Sequence, residues 1–404
     1  LRAAGVTVEL GGLPADPGPA DLVVTSPGVP PATPLLRAAR QAGVPVWGEV
    51  ELAWRWRGPG AWLAVTGTNG KTTTTQMLGA ILTAAGRHAA TAGNIGTPIV
   101  AAVEHQPPYQ TLAVELSSFQ LHYTETVAPA AAAILNVAPD HLDWHGGPDA
   151  YAEAKARIWA HPSTLAVGNA DDPISLRLLA GAPGRRVTFG LDPDGDPRPD
   201  LTVVDGHLVD RAFSGERLLA VAELGAAGPH NTANALAAAA LALADGVDPA
   251  AVAAALADFR PGAHRNATVG WCDGVRYVDD SKATNPHAAA ASLAAYPSVV
   301  WIAGGLNKGL EFDELVRAAR DRLRAVVLIG RCADEIAAAL ARHAPDVPVE
   351  RALGMDDAVE AAAKLATPGD TVLLAPAAAS MDMFRDYAER GDLFAAAARA
   401  RGAA

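Results

Sequence analysis

WLAVTGTNGKTTTT, residues 62–75, decides the fold: an apolar strand runs into a glycine-rich turn that carries a single lysine. Such a turn reads as a nucleoside triphosphate site. Gly67 and Gly70 let backbone N–H groups approach phosphate oxygens, Lys71 neutralises the outer phosphates, and Thr72 offers a hydroxyl to Mg2+. Thr68, Asn69 and Thr73 complete the run of ATP-contact candidates. Met77, Leu78, Ile81 and Leu82 recur at helical spacing, so the loop opens a helix whose N-terminus favours anions. The strict P-loop pattern asks for glycine where Val65 stands, and the ordinary alternative is a strand-to-helix turn with glycine and threonine as turn and cap residues. Gly-Lys-Thr at the mouth of a buried-looking strand favours phosphate binding.

Outward from that loop, 404 residues suggest two or three domains, and a hydrophobic share of 50% gives each a core to bury. Lys+Arg 32 against Asp+Glu 44 leaves a net charge of -12, which argues against a nucleic-acid or anionic-membrane partner bound by electrostatics. A local cationic pocket remains compatible with it. Cys272 and Cys332 make neither a metal spacing nor a disulfide framework, which suits a reducing, cytoplasmic setting. The longest apolar stretch, 233–244, is far short of the ~20 residues that span a bilayer, and no signal peptide is visible. LRAAG at 1–5 reads as the last turn of a helix capped by Gly5, so the chain is expected to begin inside a domain.

The expected fold class is α/β with three domains. Residues 1–58 alternate strands at 6–10, 21–25 and 44–47 with a helix at 34–42, which makes a partial Rossmann-like domain. A polar, Gly/Pro-rich linker at 57–60 leads into a central P-loop-type ATPase domain, 59–261. Its strands at 111–114 and 131–135 and its helices at 234–244 and 249–259 imply a mostly parallel sheet. The polar insertion 192–215 reads as a surface excursion with a short hairpin. A Pro-Gly break in FRPGAHR, 259–265, opens a second Rossmann-like domain, 262–404, with strands at 275–279, 299–303, 325–329 and 371–375. Sheets of this kind bind ligands at the carboxyl ends of their strands.

Several clusters fall at such ends. Glu115 begins ELSSFQL, and His141 lies in NVAPDHLDWHG, 136–146; both are candidate metal ligands, although Mg2+ prefers oxygen and a histidine in a loop is more often a hydrogen-bonded residue. Tyr151, Lys155, Ile158 and Trp159 share one face of a helix expected at 149–160, which puts a lysine on an apolar face. Snorkelling and a desolvated amine with lowered pKa both account for it. In PHNTANAL, 229–236, Asn231 and Asn234 face one way behind His230; they suit a nucleobase or ribose, while Asn231 also reads as a helix cap. Arg265, DDSKATNP at 279–286 and LLAPAAASMDMF at 373–384 close the set. Lys282 suits an anion, and Ser380 reads as N-cap of a helix bearing Phe384 and Tyr387.

Together TGTNGKTTTT, GNIG at 93–96, ELSSFQL, DHLDWHG, KARIW, PHNTANA, AHR, DDSKATNP and PAAASMDMF resemble the Mur ligases over nearly all of the chain. ELSSFQL, DDSKATNP and the SMDMF ending are similar to the branch that adds D-glutamate. The resemblance implies an ATP-dependent ligase of peptidoglycan precursor synthesis. It would join D-glutamate to UDP-N-acetylmuramoyl-L-alanine through an acyl phosphate, as a cytoplasmic monomer without nucleic acid or membrane insertion. It implies catalytic roles for Lys71, His141 and Lys155, and two Mg2+ ions held by Thr72, Glu115, His141 and a carbamate on Lys155. It further implies ATP contacts from His230, Asn231, Asn234, Arg265 and Asp280. Substrate contacts would come from Ser26, Asn94, Lys282, Thr284, Lys308, Ser380, Met381 and Tyr387, with closure about the linker near Pro261.

The family's opening strand and glycine-containing loop have no counterpart before Leu1. Ala375 and Ala378 stand where relatives carry serine and cysteine, and Tyr387 where phenylalanine is common. A folylpolyglutamate-type ligase and a nucleotide-binding fragment without catalysis are the competing readings; SSFQL and DDSKATNP disfavour the first.

Overall fold

The computed structural model describes residues 2–404 apart from Leu13, Ala227 and Lys308. Strands that are apolar on both faces need cover on both, and the chain supplies it with two large, mostly parallel sheets and one small parallel pair. The largest sheet has nine strands, in the order Arg217–Ala220, His207–Asp210, Leu201–Val204, Arg186–Phe189, Leu165–Asn169, Ala131–Ile134, Ala61–Thr66, Thr111–Glu115 and Ala89–Gly93. Its pairs are parallel except for the two made by His207–Asp210. Val65 pairs with Glu115 and Thr66 with Ile134, so three neighbouring strands end side by side. That shared edge carries the phosphate loop.

The helix Lys71–Ala84 follows the loop directly. Its TTTT run is a poor helix former, at roughly 0.7 kcal/mol or less per residue against alanine. Met77, Leu78, Ile81 and Leu82 are all buried, and each contributes about 1.5–3 kcal/mol over exposure. Burial therefore outweighs propensity. The alanine-rich helix Pro229–Ala244 shares this core and places its first turn over the phosphate loop. Its N-cap is Gly228, so Asn231 lies inside the helix rather than capping it.

The six-stranded sheet runs Ala267–Cys272, Val275–Asp279, Thr371–Leu374, Val299–Gly304, Leu323–Ile329 and Val349–Arg351, parallel except for the first pair. Near the start of the chain Val23–Thr25 and Val46–Gly48 form the parallel pair. Glu51, fully buried, ties the helix Glu49–Trp56 to the loop that leads into the strand Ala131–Ile134, by accepting from the backbone of Glu125 and Thr126 and from the Thr126 hydroxyl.

Three local expectations change. No strand forms at 6–10, where Val6 and Leu10 are exposed and no neighbouring strand supplies partners among the described residues. An isolated extended segment is unstable in water. The insertion is more than a surface hairpin: Leu201–Val204, His207–Asp210 and Arg217–Ala220 extend the nine-stranded sheet, and Leu201, Leu208 and Leu218 join its core. The final helix begins at Tyr387, capped by Asp386, whose side chain accepts from the Glu389 N–H, so Ser380 is not a helix cap. Residues 381–386 form turns instead. Among the described residues no helix is long and apolar enough to cross a membrane.

Candidate active site

The carboxyl ends of the two large sheets bound one cavity of about 950 Å³, lined from the first by Thr68 to Thr73, Glu115, Asn136, His141, His230, Asn231 and Asn234, and from the second by Arg265, Asp280, Lys282, Thr284 and Tyr387. That volume lies within the range of small-molecule and cofactor sites. Asn94 also lines it. Ser26, Ser380 and Met381 do not: Ser26 is exposed at the surface, Ser380 is buried, and Met381 points outward. Lys308 lies outside the described residues.

The loop is shaped by two glycines with positive φ, Gly67 at 155° and Gly70 at 82°. A Cβ on Gly67 would stand 3.1 Å from the Leu135 side chain, and one on Gly70 would collide with the Asn234 amide at 2.4 Å. Both positions need the missing side chain. Asn136 clamps the loop by accepting from the Asn69 N–H at 2.9 Å and donating to the Asn69 carbonyl at 3.1 Å. Thr68 accepts from the Ala138 N–H at 2.9 Å and lies 3.0 Å from the Tyr151 hydroxyl.

Two lysines meet beneath that loop. Lys71 Nζ donates to the carbonyls of Gly67 and Thr68 at 2.9 and 2.8 Å, and Lys155 Nζ donates to the same Gly67 carbonyl at 2.8 Å. Lys155 is 1% exposed, so its ammonium does not snorkel to water. It also faces the Tyr151 ring, 4.5 Å away. Burial, helped by the Lys71 charge, holds the Lys155 amine well below the ordinary lysine range. Burial penalises the ammonium and so favours the neutral amine relative to a lysine in water, with Asp140 acting in the opposite sense.

Lys71, Arg265 and Lys282 share the cavity with the carboxyl groups of Glu115, Asp140, Asp171, Asp172 and Asp280. Burial lowers the Lys71 pKa, with Arg265 acting the same way against Glu115 and Asp140. Lys282 is brought down to about 8 by burial and then by Arg265. Each cation destabilises the next, and a polyphosphate would relieve all of them. Lys282 also sits 3.7 Å over the Tyr387 ring. Burial raises Asp280 to about 6 and lowers His230 to about 4. The His230 Nδ1 is buried without a protein partner among the described residues.

Glu115 is 1% exposed. Its Oε1 accepts from Asn94 at 2.7 Å, while Oε2 has no hydrogen-bond partner among the described residues. A buried carboxylate oxygen left unpaired beside a phosphate loop suits a divalent cation. His141, in the left-handed region at φ 52°, lies 3.5 Å from Asp140 and packs on Phe119. Among the described residues no group of three or more His, Cys, Asp or Glu gathers as a protein-only cage. One carboxylate, a hydroxyl and phosphate oxygens is the donor set that Mg2+ takes in nucleotide sites.

Sequence reasoning passed over Asn285 and His287, which reach the phosphate loop from across the cavity. Asn-Pro before a helix reads as an ordinary cap, and Asn285 does cap its helix, so the available signal pointed only there. It also left Asn136 without a role, although NVAPDHLDWHG contained it.

Comparisons with known proteins bear on this site. The Mur ligase middle domain model matches residues 65–242, and the Mur ligase glutamate ligase domain model matches 264–378. A protein of Frankia casuarinae named UDP-N-acetylmuramoylalanine–D-glutamate ligase is 77% identical over 401 residues, covering 99% of this chain and 85% of its own. Proteins of that name from Streptomyces avermitilis and Mycobacterium tuberculosis are 55% and 50% identical, covering 100% and 94% of this chain and 90% and 84% of theirs. Among solved structures, MurF from Acinetobacter baumannii superposes with a TM-score of 0.66 at 21% identity, over 87% of this chain and 79% of that one. MurC from Thermotoga maritima gives 0.62 at 21%, over 99% and 90%. Mycobacterium tuberculosis folylpolyglutamate synthase gives 0.62 at 18%, over 88% and 93%. At those identities the structures speak for the fold alone.

Proposed function

The chain belongs to the Mur ligase family, and from that premise we propose that it is the ATP-dependent ligase joining D-glutamate to UDP-N-acetylmuramoyl-L-alanine in peptidoglycan precursor synthesis. The observation that carries the substrate choice is the 77% identity, over 99% of the chain, with a relative of that name. The folylpolyglutamate reading rests on a shared fold at 18% identity and is the weaker one. We divide the chain at 58/59 and 261/262, and read it as a cytoplasmic monomer.

In this reading a carboxylate oxygen of the L-alanyl group attacks the γ-phosphorus of ATP, the bond to the β-phosphate oxygen breaks, and ADP leaves. The amine of D-glutamate then attacks the acyl carbon. The tetrahedral adduct releases inorganic phosphate and a proton, leaving the amide. Lys71 and the backbone around Gly70 hold the outer phosphates, Thr72 faces the same position, and Arg265 and Lys282 supply charge from the opposite wall. His230, Asn231, Asn234 and Asp280 hold the nucleoside, and the neutral state of His230 suits contact with an uncharged base. Thr284 and Tyr387, which line the cavity, position D-glutamate, and Asn94 the uridine diphosphate sugar. Thr72, Glu115, His141 and a carbamate on Lys155 would hold Mg2+, which when bound neutralises charge on the transferring phosphoryl group. Closure of the cavity excludes water from the acyl phosphate.

The mechanism has an isotopic signature. With 18O in both oxygens of the L-alanyl carboxylate, each turnover places one 18O in the released phosphate, as read by mass spectrometry. Phosphate free of label would mean that the carboxylate is not the phosphoryl acceptor.

A further inference from the structure

The loop's Asn69 does two separate jobs. Its backbone N–H and carbonyl are both committed to Asn136, on the strand edge of the nine-stranded sheet. Its side chain turns away across the cavity. There Asn69 Oδ1 accepts from Asn285 Nδ2 at 3.1 Å, while Asn69 Nδ2 approaches Asn285 Oδ1 at 3.4 Å and His287 Nδ1 at 2.9 Å. An amide NH2 can only donate, so His287 Nδ1 accepts and the ring carries its proton on Nε2. Asn285 is itself divided: Oδ1 also accepts from the Ala288 N–H at 2.8 Å, capping the helix Pro286–Leu293. One amide thus caps a helix of the second sheet's layer and grips the phosphate loop of the first.

The position of this grip matters more than its strength. Asn285 follows Thr284 directly and Lys282 by three residues, and Lys282 faces the same cavity as Lys71. The chain link between the two halves runs through Pro261 and Gly262, which also line the cavity. A neutral hydrogen-bonded pair contributes little net stability, because it replaces hydrogen bonds to water. That is too little to hold the halves together unaided and enough to select among their relative placements. Displacing a reacting group by 1 Å costs on the order of 10²-fold in rate.

We propose that Asn69, Asn285 and His287 form a latch that sets Lys282 and Thr284 against the phosphate loop when the cavity closes. They are positioning residues, and Asn69 acts through the opposite wall rather than as a nucleotide ligand. This inference rests on the ligase reading for its effect on turnover, but not for its effect on closure.

The test uses the full chain with Asn69→Ala, Asn285→Asp and His287→Ala. Asn285→Asp keeps the helix cap, since a carboxylate accepts from the Ala288 N–H, and replaces the donor to Asn69 with a repelling oxygen. ADP affinity is read by calorimetry and compaction on adding ADP by small-angle X-ray scattering, both without ligase chemistry; kcat and KM for ATP are read separately. Each variant should bind ADP within about threefold of the parent and compact less. Each should lose on the order of 10- to 100-fold in kcat with KM for ATP little changed. Asn69→Ala combined with Asn285→Asp should be no worse than the poorer single variant, as expected of one network. Loss of ADP affinity in Asn69→Ala, or unchanged kcat and compaction in all three, would overturn the latch. A parent that compacts with ADP but forms no amide would count against the ligase reading alone.

Discussion

Lys155→Ala should lower ligase turnover by on the order of 10²–10³-fold, and Lys155→Arg should not restore it. A simple cation at this position is thinly compensated: the ammonium is out of water, shares the Gly67 carbonyl with Lys71, and has only a tyrosine face beside it against the Lys71 charge. Arginine would supply a permanent, larger cation in a space where burial already disfavours the smaller one. A neutral amine can instead attack CO2. The N–C bond forms, a proton leaves to solvent, and the side chain ends in an anionic carbamate whose oxygens suit Mg2+ and relieve Lys71. In 13C-bicarbonate the parent should therefore show a carbamate resonance by NMR that Lys155→Ala lacks. Activity in either variant, or no resonance in an active parent, would count against the carbamate.

The second large effect concerns Glu115. Glu115→Gln keeps the shape and an oxygen to accept from Asn94, and removes only the charge. Turnover should fall by more than about 10²-fold, beyond the ten- to hundredfold loss typical of groups that merely orient a metal ligand. The half-saturating Mg2+ concentration should rise. Metal-free ADP should bind as well as before or better, since a buried anion beside the phosphate loop repels uncompensated phosphate. Equal weakening of ADP with and without Mg2+ would mean that Glu115 supports the fold of the loop rather than the cation.

The sequence made part of this legible because local chemistry and fold coincide there. Gly67 and Gly70 needed their missing side chains, and Met77, Leu78, Ile81 and Leu82 needed a core, so strand, loop and helix could be read together. Lys155 was conspicuous for the same reason: periodicity put it on a buried face, and only its surroundings could decide between snorkelling and desolvation. Other features depend on partners distant in the chain. Whether residues 6–10 become a strand rests on a neighbour to pair with, which periodicity does not supply. The hairpin strands at 201–210 looked like surface because their polar flanks hid Leu201 and Leu208, which meet the core only through the added sheet edge. The contact between Asn69 and Asn285 spans 216 positions, and their local features, a phosphate loop and a helix cap, do not point to each other.

Phosphate release is the most direct reading of substrate choice. With ATP, Mg2+ and UDP-N-acetylmuramoyl-L-alanine, a protein extended to the full length of its relatives should release phosphate when D-glutamate is added, and little with L-glutamate or with a folate plus glutamate. Release that follows the folate, or none with D-glutamate, would contradict it.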